Sequence, residues 1–203
     1  MKEKNTPGTG WQQDIKQLID ALLSIAALLL LSPLLIYIMI RTRLSSPGNI
    51  FYQQERIGRN GKAFTIYKFR SMHPRAEESG PALSGDNDLR ITSWGRVMRK
   101  WKLDELPQLW NVLLGDMSLV GPRPERKFYI EQIIEQVPEY AELLRVKPGV
   151  TSLGMIRYGY ASTIEQMIER MEYDLDYVRH FSLALDARIM VQTVLIILSG
   201  KAK

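Results

Sequence analysis

A run of apolar residues at positions 21–40 constrains the fold of this chain more than any other feature. At about 1.5 Å per residue, a helix of this length would just cross a hydrocarbon core of about 30 Å. The run contains Ser32 and Pro33 in its second half. A proline inside a helix removes a backbone donor and clashes with the preceding turn, so the sequence predicts a membrane segment that kinks or breaks there.

Both flanks of this run are basic, with Lys2, Lys4 and Lys16 before it and Arg41 and Arg43 after it. Because positive residues tend to stay on the cytoplasmic side, neither flank clearly crosses. Two alternatives follow with about equal weight: a kinked helix that spans the membrane, and a re-entrant hairpin that returns to its side of entry. A signal peptide is disfavoured because the run is too long and lacks a small-residue cleavage site.

Composition narrows the chemistry that the chain can perform. The sequence has no cysteine and two histidines, which excludes disulfide scaffolds and thiolate zinc sites and disfavours a histidine-rich metal site. Neither a Walker loop nor a Rossmann glycine fingerprint is present. Between residues 41 and 75 there are eight Arg or Lys residues and one acid. Such a cluster suits phospholipid, nucleic acid or a phosphorylated substrate, and charge alone does not choose among them.

A β-hairpin is predicted after the apolar run. Residues 50–54 and 62–72 are rich in β-branched and aromatic residues, and an Asn-Gly turn separates the two segments. Strand alternation would place Lys68 and Arg70 side by side on one face. The pair is either a phosphate clamp or part of a solvated strand face.

Two adjacent acids, Asp104 and Glu105, precede a short helix predicted over residues 107–114, with Pro107 near its start and Gly115 past its end. The purely structural interpretation is that the two acids cap the helix and interact favourably with its dipole. The functional interpretation rests on the surrounding cations, which would keep a carboxylate ionised and gather phosphates around it.

Arg123 lies between Pro122 and Pro124. Prolines on both sides restrict its backbone to extended conformations and present its guanidinium from a stiff support. That stiffness favours two-pronged phosphate binding, although an ordinary surface loop with an exposed arginine fits the same pattern.

Helices are predicted in three further places. Residues 91–102 are basic and contain Trp94 and Trp101, which is typical of a helix at a lipid headgroup layer, although a soluble basic helix is the alternative. Ser162 and Glu165 form a capping-box pattern before a helical stripe of core residues. A last apolar helix is predicted over residues 184–198, packed under the domain or lying in the membrane interface.

Several motifs together resemble the bacterial sugar transferase family of monotopic phosphoglycosyl transferases. They are Leu-Asp-Glu-Leu-Pro-Gln-Leu at 103–109, Gly-Asp-Met-Ser at 115–118, Gly-Pro-Arg-Pro at 121–124, Ile-Tyr-Lys-Phe-Arg-Ser-Met at 66–72, and Ser32-Pro33. The similarity runs from about residue 14 to the C-terminus, and the chain is similar to the small members. One stretch departs from the usual pattern: residues 152–159 stand where many members have a Gln-Val-x-Gly-Arg segment.

The resemblance implies a mostly helical α+β fold. Its expected parts are a disordered tail at 1–13, a re-entrant helix-break-helix at 14–43, and a cytoplasmic catalytic domain at 44–203 with a small β-hairpin. Amphipathic interfacial helices are expected around the active site. The resemblance also favours the hairpin over the spanning helix, with the catalytic domain on the cytoplasmic face of a bacterial inner membrane.

The resemblance further implies that the chain transfers a sugar-1-phosphate from a UDP-sugar to undecaprenyl (polyprenyl) phosphate, releasing UMP through a covalent aspartyl phosphosugar intermediate. This would be the first membrane step of bacterial polysaccharide or glycoconjugate assembly. Asp104 would be the nucleophile and a ligand of Mg²⁺, with Glu105 assisting by metal binding or proton transfer. The expected phosphate contacts are Lys68, Arg70, Arg99, Arg123 and, more weakly, Arg157. Membrane phospholipid is an expected partner, nucleic acid is not, and a homodimer is compatible with the sequence.

Two other classes of function would suit parts of the sequence. A membrane-tethered scaffold would bind nucleotide sugar without releasing UMP, and the intact acid pair argues against it. A membrane-anchored nucleic-acid binder would need exposed aromatic residues interleaved with the cations and would bind less tightly as salt increases.

Overall fold

The structure, a computed structural model, describes residues 10–76, 80 and 88–200. Two helices, α1 (Gly10–Leu30) and α2 (Ser32–Ser45), contain the apolar run and meet at a bend of 65°. In the described part of the chain no single helix is long and apolar enough to cross a bilayer, whereas this bent pair qualifies by length and composition. Residues 10–13, predicted to belong to a disordered tail, form the first turn of α1.

The bend lies at the predicted position. Pro33 occupies the first turn of α2, where its missing N–H costs no helical hydrogen bond. The hydroxyl of Ser32 donates to the carbonyl oxygen of Leu29 at 2.8 Å, which satisfies an acceptor at the end of α1. Ser32 and Pro33 therefore end one helix and begin the next.

The predicted hairpin is confirmed. Strands β1 (Phe51–Ile57) and β2 (Ala63–Phe69) pair antiparallel, and Asn60 in the connecting turn has a left-handed φ of 57°. Strand β2 ends three residues before the end of the predicted segment at residue 72. Arg70 therefore lies outside the strand, where alternation no longer fixes its direction.

Two short elements place the acid pair over this hairpin. Helix α3 (Ser93–Lys100) leads into a single 3₁₀ turn, Leu103–Glu105, and then into α4 (Gln108–Leu114), which ends at Gly115 as predicted. The fully buried side chain of Asn111 donates to the carbonyl of Thr65 at 2.7 Å and accepts from the N–H of Tyr67 at 3.1 Å. Asn111 thus fixes α4 to the free edge of β2.

The remaining elements build the main core. They are β3 (Ser118–Val120), α5 (Lys127–Gln136), a 3₁₀ segment (Pro138–Arg145), β4 (Gly149–Thr151), α6 (Leu153–Arg157), α7 (Ile164–Arg179) and α8 (Leu183–Leu198). Strands β3 and β4 pair in parallel, a feature that the sequence did not predict. Residues Met167, Met171, Leu175 and Val178 of α7 are buried, which confirms the predicted core stripe. The cap of α7 was predicted one residue early: Thr163, not Ser162, accepts from the N–H of Gln166.

A buried polar cluster ties the first half of α1 to β3, α7 and α8. The ammonium of Lys16 lies 2.6 Å from Asp186 of α8 and 3.7 Å from Asp20. Asp20 in turn accepts from the hydroxyl of Ser118 on β3 at 2.6 Å, and Tyr177 donates to Asp186 at 2.7 Å. The residues of α1 before the apolar run therefore pack against β3 and α8 through polar contacts.

Gly95 offers a direct test of how closely α3 packs. A Cβ atom at this position would lie 1.9 Å from the carbonyl oxygen of Ser71, which is backbone and cannot rotate away. Gly95→Ala should therefore destabilise the fold by about 1–3 kcal/mol or more, although alanine is the better helix former. Thermal unfolding in detergent micelles measures the change.

Gly10→Ala is the matched control, because a Cβ atom added there, at the start of α1, would meet no atom of the described residues within 4 Å. That variant should be as stable as the parent. A Gly95→Ala protein as stable as the Gly10→Ala protein would show that α3 and Ser71 are not in close contact.

Candidate active site

The candidate site is organised around the carboxylate of Glu105, which forms a cluster with Lys68 and Arg123 that we call the hub. Its Oε1 atom accepts from the ammonium of Lys68 at 2.6 Å and from the guanidinium of Arg123 at 3.1 Å. All three side chains are at most 16% exposed. Three separate segments, the end of β2, the 3₁₀ turn and the loop after β3, therefore meet at one oxygen atom.

Asp104 lies beside this hub in a different environment. It is 6% exposed, and its Oδ1 atom has no hydrogen-bond partner among the described residues. Burial and the adjacent Glu105 raise the pKa of Asp104, while Lys68, Arg99 and Lys102 act in the opposite direction. The N-cap residue of α4 is Pro107, and no side chain makes a capping hydrogen bond there, so the structure does not support the helix-cap interpretation of the acid pair.

The pKa of Glu105 moves the other way. Burial alone would raise it, but Lys68, Arg123 and Lys102 outweigh burial and hold the pKa well below its usual range. The expectation that the surrounding cations keep a carboxylate ionised therefore holds for Glu105. For Asp104 the balance is different, because burial and the neighbouring negative charge raise its pKa against the effect of Lys68, Arg99 and Lys102.

Two more cations surround the pair. Arg99 donates through Nε to the hydroxyl of Ser71 at 3.0 Å and acts on the Asp104 carboxyl electrostatically. Lys102, which the sequence analysis did not single out, has its ammonium 3.7 Å from the centre of the Tyr160 ring. Burial lowers the pKa of Lys102 to about 8, against the opposing charge of Glu105.

Hydrogen bonds hold the backbone on both sides of Arg123. The carbonyl of Pro122 accepts from the N–H of Gly149 at 2.9 Å, and the carbonyl of Pro124 accepts from Arg56 at 3.0 Å. The next residue, Glu125, forms ion pairs with Arg170 at 2.6 Å and with Arg56 at 3.2 Å. The sequence did not predict this buried ion cluster, since its members lie far apart along the chain.

Two predicted phosphate contacts lie elsewhere. The guanidinium of Arg70 donates through Nη2 to the carbonyls of Thr42 and Ser46 at the end of α2, at 3.3 and 2.6 Å. Its Nε and Nη1 atoms have no partner among the described residues. Arg157 is exposed at the end of α6, in a cleft of about 580 Å³ that it shares with Arg188 of α8. For both, phosphate contact stays a prediction.

The acid pair fits a divalent cation of the Mg²⁺ type. The described residues contain no group of three or more His, Cys, Asp or Glu side chains that could hold a metal ion. Mg²⁺, however, is commonly bound through one or two carboxylates plus substrate phosphates and water. The unpartnered Oδ1 atom of Asp104 is suited to such a role, while Glu105 is already committed to two cations.

Comparison with known proteins identifies the family. The family model described as "Bacterial sugar transferase" matches residues 11–200. The chain belongs to the bacterial sugar transferase family. It is 40% identical over 186 residues to the UDP-N-acetylgalactosamine-undecaprenyl-phosphate N-acetylgalactosaminephosphotransferase of Aeromonas hydrophila, covering 92% of this chain and 44% of the relative.

Two further relatives are the UDP-glucose:undecaprenyl-phosphate glucose-1-phosphate transferase of Escherichia coli K12 and the exopolysaccharide production protein PSS of Rhizobium leguminosarum bv. phaseoli. The first is 39% identical over 192 residues, covering 94% of this chain and 41% of the relative. The second is 40% identical over 189 residues, covering 89% and 93%. The chain thus spans less than half the length of the first two relatives and most of the third.

The Glu125 cluster gives a test of the site's architecture. Glu125→Gln would leave Arg170 and Arg56 buried without their counter-charge, so it should reduce the free energy of unfolding by about 3–5 kcal/mol. Chemical denaturation in micelles measures the change. Glu131→Gln is the control, because its pair with Lys127 is largely exposed and should contribute little.

A second variant separates lost charge from lost packing. Glu125→Leu combined with Arg170→Met removes a carboxylate and a guanidinium together, and it should be less destabilised than Glu125→Gln. If Glu125→Gln is as stable as Glu131→Gln, the cluster does not support the loop that carries Arg123.

Proposed function

We propose that this member of the bacterial sugar transferase family transfers a sugar-1-phosphate from a UDP-sugar to undecaprenyl phosphate and releases UMP. The observation that carries the proposal is the buried Asp104, whose Oδ1 atom has no hydrogen-bond partner among the described residues and whose carboxyl is influenced by Lys68, Arg99 and Lys102. The names of the relatives, which describe undecaprenyl-phosphate sugar phosphotransferases, support the substrate classes. Assembly of a bacterial polysaccharide is the corresponding process.

The proposed reaction has two displacements at one phosphorus. A carboxylate oxygen of Asp104 attacks the β-phosphorus of the UDP-sugar, and the bond from that phosphorus to the bridging oxygen breaks, so that UMP leaves with the electron pair. Undecaprenyl phosphate then attacks the same phosphorus. The bond to Asp104 breaks, the carboxylate is regenerated, and the lipid carries a diphosphate-linked sugar.

The contrast between the two acids supports Asp104 as the nucleophile. Glu105 already accepts hydrogen bonds from Lys68 and Arg123, which makes its carboxylate a weak nucleophile. Its role in the proposal is to hold these two cations in position. Asp104 has an oxygen without a partner and a pKa raised by burial. Neighbouring cations must keep it ionised, and Arg99 and Lys102 are the ones that no carboxylate binds among the described residues.

Mg²⁺ is part of the proposal. Asp104 would hold the ion, with Glu105 close enough in sequence to assist. Bound there, the ion would neutralise phosphate charge that otherwise repels a carboxylate. Lys68 and Arg123 are placed to orient the diphosphate, and their rigid attachment to Glu105 limits the entropy lost when they bind it.

A re-entrant membrane hairpin is also proposed, supported by the contacts at its two ends. Before the apolar run, Lys16 binds Asp186; after it, the hydroxyl of Thr42 accepts from the indole N–H of Trp94 at 3.2 Å. Both ends thus bind the same catalytic domain. The two apolar arms, bent by 65°, would reach about 24 Å end to end, less than a hydrocarbon core of about 30 Å.

The exposed apolar side chains support lipid contact around the site. Many of them lie on α1, α2, α3, α4 and α8 or, for Trp101, directly after α3; they include Leu22, Leu29, Ile36, Val97, Trp101, Trp110, Leu114, Val194 and Leu198. Trp94, predicted to face headgroups, is instead half-buried against α2, edge-on to Tyr37. We infer that the site lies at the cytoplasmic face of the inner membrane, where a lipid phosphate can reach Asp104 without leaving the bilayer.

Asp104→Asn should reduce UMP release by about a thousandfold or more, because an amide cannot form the phosphoryl ester. The assay supplies UDP-glucose or UDP-N-acetylgalactosamine with undecaprenyl phosphate and Mg²⁺. Mass spectrometry should detect a sugar-phosphate adduct on the peptide that contains Asp104 in the parent and none in the variant.

Asp116→Asn serves as the matched control, since Asp116 follows the C-cap of α4 and has no part in the proposed reaction. It should retain both UMP release and the adduct. Full UMP release by Asp104→Asn would remove the nucleophile assignment, and an adduct on Glu105 would transfer that role to its neighbour.

The hairpin predicts that both ends of the bent pair face one side of the membrane. The chain has no cysteine, so single cysteines at Asp14, Ser45 and the exposed domain residue Glu139 can be labelled without background. In inverted vesicles a membrane-impermeant maleimide should label all three. Protection of Asp14→Cys alone would instead support a spanning helix.

A further inference from the structure

Lys102 adopts a backbone conformation that its side chain does not favour. Its φ is 54°, in the left-handed region, and it directly precedes the 3₁₀ turn that carries Asp104 and Glu105. Glycine or asparagine is the usual residue at such a position. Strain of this kind, next to a candidate active site, points to a functional reason for the residue.

The cations around the acid pair divide into committed and uncommitted groups. Lys68 and Arg123 both donate to Glu105. The ammonium of Lys102 makes no ion pair or hydrogen bond among the described residues, and it lies over the ring of Tyr160 instead. Arg123 lies over the same ring at 5.0 Å.

A ring face holds an ammonium more weakly than a phosphate does, since the ring offers a quadrupole and the phosphate a full charge. Lys102 is therefore available to an anion without the loss of an existing salt bridge. Its position two residues before Asp104, on whose carboxyl its charge acts, places that anion near the proposed nucleophile. Recruitment of Lys102 would add a charge that the hub does not supply.

We propose that Lys102 is a phosphate-binding residue of this site, held on the face of Tyr160 until an anionic substrate draws it to a phosphoryl oxygen. This inference rests on the proposed function for the identity of the substrates. The phosphoryl oxygen could belong to the nucleotide sugar or to the lipid phosphate. Tyr160 keeps the ammonium near the site when no substrate is present.

Calorimetric binding of UDP, at a fixed Mg²⁺ concentration, tests the assignment without turnover. Lys102→Met should weaken UDP binding about tenfold and flatten its salt dependence, because one charged contact is lost. Lys102→Arg should stay within about threefold of the parent, as the charge is kept. Lys102→Gly should bind as weakly as Lys102→Met while unfolding at the same or a higher temperature, since glycine relieves the positive φ.

Kinetics identify which phosphate Lys102 binds. A contact with the nucleotide sugar would raise KM for the UDP-sugar, and a contact with the lipid would raise KM for undecaprenyl phosphate with UDP binding unchanged. Either result supports the proposal. Lys102→Met with parental UDP binding and both KM values unchanged would overturn it.

Two matched variants exclude a purely structural role. Lys100→Met removes an ammonium that lies 5.6 Å from the ring of Trp101, and it should leave UDP binding unchanged. Tyr160→Leu breaks the contact between Lys102 and the ring but keeps the ammonium, so it should weaken binding less than Lys102→Met. Equal losses in Tyr160→Leu and Lys102→Met would show that the contact, rather than the charge, is what matters.

The outcome for the parent protein separates this inference from the proposed function. A parent that releases UMP, combined with Lys102→Met behaving like the parent, would overturn the role of Lys102 alone. A parent that neither binds UDP nor releases UMP would overturn both.

Discussion

One oxygen of Glu105 accepts hydrogen bonds from both Lys68 and Arg123, and the rest of the site depends on this interaction. Taking these charges out of water costs several kcal/mol per ion, which only good geometry can offset. That geometry requires the β-hairpin, the 3₁₀ turn and the loop after β3 to meet at one point. Asn111 holds the first two together through the backbone of β2, and Glu125 with its arginines holds the third.

The same arrangement separates the chemistry of two neighbouring acids. Glu105 receives the hydrogen bonds, so it remains ionised and is occupied in organising cations. Asp104 is buried beside the negative charge of its neighbour, which raises its pKa, and its Oδ1 atom has no hydrogen-bond partner in the described part of the chain. Pairs of titratable groups with opposite pKa shifts are a recurring basis for assigning different catalytic roles. Sequence places the two acids side by side, but only the fold tells them apart.

Features with a local cause could be predicted from sequence, and those with a distant cause could not. The Asn-Gly turn, the end of α4 at Gly115 and the apolar spacing of α7 each act within a few residues, and the structure confirms them. The parallel pairing of β3 with β4 and the ion cluster of Glu125 join residues far apart in sequence, and neither was anticipated. For the site, the sequence named the acid pair, Lys68 and Arg123 as candidate residues; the structure brings Lys68 and Arg123 to Glu105, and their roles stay predictions. Lys102 was not named, because its significance depends on a left-handed backbone and on Tyr160.

Arg70 shows how the bent helix pair, α1 and α2, is connected to the site. Strand alternation placed it beside Lys68, but β2 ends at Phe69 and its side chain turns to the end of α2. There it binds the carbonyls of Thr42 and Ser46, where the helix dipole favours a cation. Lys68 and Arg70 lie two residues apart and bind, respectively, Glu105 and the end of α2. A short stiff segment thus sets the distance between them, so the depth of α2 in the bilayer would fix the height of Asp104 above the lipid phosphates.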